Sequence, residues 1–122
     1  MGYGFVYVMT NESFPDLYKV GYTTGSPFKR AKELSASTSV PTPFEVVCYA
    51  EYADVEKHET RVHDTVADLR VSARREFFTG PFSRIYEAVM DRDYSLARCD
   101  HLAPVELWEE EHADHKVTGV FQ

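Results

Sequence analysis

Two β-branched, aromatic runs lying close together constrain the fold first. Gly4-Phe-Val-Tyr-Val-Met9 and Leu17-Tyr-Lys-Val-Gly-Tyr22 both read as strands. Between them, Thr10 to Asp16 contains Asn, Ser, Pro and Asp, which is turn chemistry, so a hairpin is the cheapest connection. In the first run Phe5, Tyr7 and Met9 share one face, and Val6 and Val8 the other. Ser26 and Pro27 then signal a helix start, predicting a helix over about 27–35 with Phe28, Ala31 and Leu34 available for packing. Phe44 to Tyr52 is a third strand, and a helix from an N-cap at Asp54 to about Leu69 follows. Residues 70–80 read as a connector and 82–97 as a further helix with Ile85, Tyr86 and Val89 facing inward. The order ββαβαα predicts an α/β (α+β) fold, a small antiparallel three-stranded sheet flanked by helices.

The 122 residues suit one compact domain. We expect a domain over 1–98 and an acidic C-terminal extension over 99–122, packing on it or trailing from it. The formal net charge is -7, and its distribution is uneven. Residues 1–92 hold 11 basic and 13 acidic side chains, whereas 93–122 hold 2 and 7. A near-neutral body accommodates a local basic site, but strong unaided binding to duplex DNA is not predicted. The acidic tail reads as removable without loss of the folded core. Aromatic residues make up 14% of the chain, which fits either a dense core or a stacking surface. Cys48 lies in an apolar strand-like run and reads as a buried thiol, so neither a disulfide framework nor a cysteine-rich metal site is expected. No charged leader precedes an apolar run, and no stretch of about twenty apolar residues occurs. The expectation is a soluble, cytoplasmic protein without a membrane role. Neither a nucleotide-binding phosphate loop nor a Ser-His-Asp or Cys-His order stands out.

The second predicted helix carries the main anomaly. Val55, Val62, Val66 and Leu69 form its apolar stripe, and Glu59 falls inside that series. An inward carboxylate is expensive unless it is paired, binds a metal or faces a cleft. Two readings fit: Glu59 at the stripe's edge beside a base, or Glu59 as a metal ligand. His63 lies one turn on, with ligand-compatible spacing, and reads as a solvent-edge or helper residue ahead of a metal contact. Arg30 sits near the inward side of the first helix, either as a phosphate clamp or as a surface arginine with a packed stem. Lys29, Arg74 and Arg75 are candidate DNA contacts, with solvated charges as the plainer alternative.

Phe5-Val6-Tyr7, a turn-containing gap, then Lys19-Val20-Gly21 resembles a divergent GIY-YIG endonuclease signature, with Arg30 and Glu59 following in the expected order. Tyr18 to Thr23, Arg30 to Ser35, Pro41 to Phe44 and Arg75-Glu76-Phe77-Phe78 resemble a phage and bacterial branch typified by a bacteriophage open-reading-frame domain. The resemblance spans roughly residues 4–80. It implies a DNA endonuclease in which Tyr7 helps to activate water, Arg30 stabilises the scissile phosphate and Glu59 holds a single Mg²⁺ or Mn²⁺. Phage nucleic-acid processing, mobile-element biology and defence all fit such an enzyme. With no recognisable DNA-reading helix pair, zinc finger or long basic arm, specificity is expected from a protein partner, a homo-oligomer or a branched substrate. Two positions depart from the pattern. Lys19 stands where the second motif has tyrosine, leaving that role to Tyr18 or Tyr22 in a shifted register, or to Lys19 itself through an ionised tyrosine or a phosphate. The asparagine that often follows the glutamate-bearing helix is missing, and Glu76 in that region could orient a ligand or pair with Arg75. The alternative function is a catalytically weak nucleic-acid or protein interaction module on the same scaffold. A third possibility is a nuclease whose acidic tail covers its cleft.

Overall fold

The computed structural model describes residues 2–37, 41–72 and 76–113. Its centre is β1 (Gly4–Asn11), which pairs antiparallel with β2 (Leu17–Thr23) on one side and β3 (Phe44–Tyr52) on the other. Flanked on both sides and covered on both faces, β1 holds the most buried run: Val6, Val8 and Met9 are 0% exposed and Tyr7 1%. The sheet has five strands, not three. β4 (Phe77–Thr79) lies outside β2, and β5 (Ala97–Cys99) outside β3, giving the order β4-β2-β1-β3-β5. Each added strand is three residues long, too short for a period-2 alternation to register in sequence.

The α+β architecture has two unequal layers. Val6, Val8 and Val20 point to the larger core, where they meet α2 (Val55–Thr65), α3 (Phe82–Val89) and α4 (Ala103–Glu111) through Val55, Val62, Phe82, Ile85, Val89 and Ala103. On the other face Tyr7, Met9 and Val46 pack under Ala31 of α1 (Pro27–Ser37). A bulge opposite Val8/Met9 lets both Val47 and Cys48 face the larger core before alternation resumes.

The α1 start follows the sequence signal. The Ser26 hydroxyl accepts from the Phe28 N–H at 3.1 Å, and its carbonyl accepts from the Arg30 N–H at 3.0 Å. By contrast, α2 ends at Thr65 and continues only as a 3₁₀ turn over Ala67–Leu69. The helix expected over 82–97 stops at Val89, because Asp91 turns the chain. Its carboxylate accepts from the Asp93 N–H at 2.8 Å and its carbonyl from the Ser95 N–H at 3.1 Å. Leu96 then donates to the Glu51 carbonyl at 2.8 Å, starting β5.

The acidic segment forms α4 and docks through fully buried Ala103 and partly buried Leu102 and Leu107, whereas Val105 and Trp108 stay exposed. Removal of residues 101–122 therefore takes core side chains with it. Its Glu106 and Glu110 face Tyr18 and Ser83 on the larger-core side, away from Tyr7 and Arg30, so α4 does not cover a cleft there. No helix among the described residues is long and apolar enough to cross a membrane.

Candidate functional site

The β1–β2 register sets Tyr7 directly opposite Gly21. A Cβ on Gly21 would lie 2.7 Å from the Tyr7 hydroxyl oxygen and 2.8 Å from Glu76 Oε1. Both groups thus converge on space that only the absence of a side chain leaves open. Glu76 is held there by its own backbone, whose carbonyl accepts from the Val20 N–H at 2.9 Å just before β4 begins.

Because β4 pairs with β2 only over Leu17–Lys19, the next part of the β2 edge needs other partners. The Val20 carbonyl accepts from His63 Nε2 at 2.9 Å, and the His63 ring packs 5.1 Å from Phe78. Since a carbonyl only accepts, Nε2 carries the proton. His63 therefore ties α2 to the sheet edge, one turn from Glu59.

The side chain of Glu59 is 14% exposed, and its Oε2 is buried without a hydrogen-bond partner. His63 Nε2 lies 4.0 Å from that oxygen, beyond hydrogen-bonding range. Burial first, and then the charge and contact of the Glu76 carboxyl, push the Glu59 carboxyl up to about 7, against the pull of Lys19 and Arg70. Three buried valines, Val55, Val62 and Val66, hold this stretch down regardless. At roughly 1.5–3 kcal/mol each they outweigh the carboxylate's penalty.

Two cations complete the cluster. Lys19 Nζ is 3.1 Å from Glu76 Oε1 and 5.4 Å from the centre of the Phe77 ring. Arg30 pairs with Glu33 at 3.5 Å and lies on α1, the helix that packs over Tyr7 through Ala31. Burial, followed by the Glu76 charge, raises the Tyr7 phenol to about 12, with Arg30 opposing. At neutral pH Tyr7 is a phenol.

Tyr7, Lys19, Arg30, Glu59, His63 and Glu76 are thus brought together from β1, β2, α1, α2 and the start of β4. Tyr18 lies on the larger-core face, with its ring 5.1 Å from Phe82 and its hydroxyl donating to Glu106 Oε2 at 3.2 Å. Alternation along β2 sends Tyr22 to that same side, where it is exposed. Lys29 is exposed beside Arg30 on α1. Arg74 and Arg75 lie outside the described residues. Sequence reasoning missed Arg70, which bridges to Phe78 in the sheet, stacks 5.7 Å over its ring and acts on Glu59. No periodic signal marks Arg70, since it follows a 3₁₀ turn.

Among the described residues, no group of three or more His, Cys, Asp or Glu side chains is placed to hold a metal ion. A site for Mg²⁺ needs fewer, because that ion keeps several waters and takes one or two carboxylates alongside substrate phosphate. The unpartnered, buried Glu59 oxygen fits such an ion. No curated protein and no solved structure matches the chain. Residues 4–92, which take in every member of this cluster, match the T5orf172 domain. The chain therefore belongs to the T5orf172 domain family, which is associated with the GIY-YIG nuclease superfamily.

Proposed function

We infer that this chain is a divalent-metal-dependent DNA endonuclease of GIY-YIG type. The observation that carries the inference is the buried, unpartnered Glu59 oxygen at the β2 edge, near the Gly21 gap into which the Tyr7 hydroxyl and the Glu76 carboxylate point. Glu59 would hold the Mg²⁺ or Mn²⁺. When bound, such an ion polarises a phosphate oxygen and stabilises the departing 3′-oxygen. Arg30, on the helix that packs over Tyr7, offers a planar fork to the scissile phosphate. The Tyr7 phenol orients the attacking water, and the product carries a 5′-phosphate. Lys19 occupies the second-motif tyrosine position inside the cluster, adding a positive charge near the phosphate site.

The protein's acidity supports a substrate recognised by shape, a partner or a homo-oligomer more than by strong unaided affinity. A cytoplasmic setting and phage or mobile-element biology accompany this reading. The test is cleavage of duplex, nicked, branched and single-stranded DNA with Mg²⁺ or Mn²⁺. Wild type is expected to cut at least one form, and Tyr7→Phe and Arg30→Ala to lose roughly 10²–10³-fold in single-turnover rate. Inactivity of folded wild type on every form favours the interaction-module alternative, which the Lys19 substitution also suits.

A further inference from the structure

We propose that Glu76 joins Glu59 as a second carboxylate ligand of the divalent ion, and that the Lys19 ammonium holds its place until the ion binds. This rests on reading Glu59 as a metal ligand, and adds a residue and a displacement step to it.

Several observations point to this arrangement. Glu76 Oε1 lies over Gly21, and Glu59 Oε2 lies 4.0 Å from the His63 nitrogen that is bonded to the Val20 carbonyl, so the two carboxyl groups reach adjacent residues of β2 from different elements. Two carboxylates in a half-buried place call for positive charge. The cation in direct contact is Lys19, whose side chain is 14% exposed and whose Nζ is 3.1 Å from Glu76 Oε1. Arg70 adds a further positive charge near Glu59 while stacked over Phe78. Glu59 Oε2 nevertheless remains buried without a hydrogen-bond partner. A purely structural Lys19–Glu76 pair would not require that second carboxylate beside it, and a divalent ion would engage both. Finally, Glu76 Oε1 and the Tyr7 hydroxyl share the open space above Gly21, so a ligand on Glu76 lies next to the group assigned to orient water. Once displaced, the lysine is free to turn to a phosphate oxygen.

The test uses the full chain without DNA and titrates Mn²⁺, following the loss of the free-ion electron paramagnetic resonance signal. Thermal unfolding in EDTA checks each fold. Glu76→Gln is expected to weaken Mn²⁺ binding about 10–100-fold, comparable to Glu59→Gln. Lys19→Met is expected to tighten it several-fold, because the ion no longer competes with an ammonium. Wild-type affinity in folded Glu76→Gln, alongside lost affinity in Glu59→Gln, overturns the role of Glu76 and leaves that of Glu59 standing. Wild-type affinity in Glu59→Gln overturns the underlying metal site instead. If Glu76→Gln does not fold, Lys19→Met decides: tightened binding supports the proposal, and unchanged or weakened binding overturns it.

Discussion

Replacing Glu59 with glutamine should stabilise the metal-free protein, and only above a definite pH. Burial and the adjacent Glu76 raise the Glu59 carboxyl from 4.5 to about 7 in the native state. A carboxyl with a raised native pKa binds more protons folded than unfolded. Its protonated form therefore leaves stability intact below pH 4.5, stability falls as pH rises towards 7, and the loss persists above. At about 1.4 kcal/mol per pKa unit, the penalty is on the order of 3 kcal/mol. Glutamine removes that charge but buries an amide whose unmatched hydrogen bonds return roughly 1 kcal/mol. A net gain of about 2 kcal/mol at pH 8, or roughly 5–10 °C in Tm, is expected. Thermal unfolding of wild type and Glu59→Gln in EDTA, at several pH values from 4 to 8, measures it. Mn²⁺ should then raise the Tm of wild type and not of the variant. A variant less stable than wild type by the same margin at every pH would refute the reasoning, since it would make Glu59 an ordinary hydrogen-bonding residue.

Further outcomes separate the site from the scaffold. Gly21→Ala places a methyl 2.7 Å from the Tyr7 oxygen and should cost about 1–3 kcal/mol together with about 10²-fold in cleavage rate. Gly4→Ala is its control: its Cβ would meet the Thr23 carbonyl oxygen at 2.5 Å, so denaturant unfolding should show lost stability while cleavage per folded molecule is unchanged. Tyr18→Phe removes the hydrogen bond to Glu106 and should lower stability by about 0.5–1.5 kcal/mol with no change in single-turnover rate. Truncation after Asp100 should destabilise the chain by roughly 2–4 kcal/mol in urea melts through loss of Leu102, Ala103 and Leu107, without weakening DNA binding in a salt-controlled titration.

The features legible in the sequence are those whose cause lies within a few residues. Strand runs β1 to β3 carry their own β-branched and aromatic composition, Ser26 and Pro27 open α1 locally, and Glu59 interrupts an apolar stripe of a single helix. Tertiary structure decided the rest, because those features depend on residues far apart in the chain. β4 and β5 exist only because β2 and β3 offer edges to pair with. Which of Lys19 and Tyr18 lies on the Tyr7 side of the sheet follows from strand register, where a one-residue shift sends a side chain to the opposite face. Glu76 reaches Lys19 across 57 residues, and it occupies the space above Gly21 only once β2 and β4 are paired. Likewise, α4 has little apolar period of its own, so its position comes from what Ala103 and Leu107 find on the finished core.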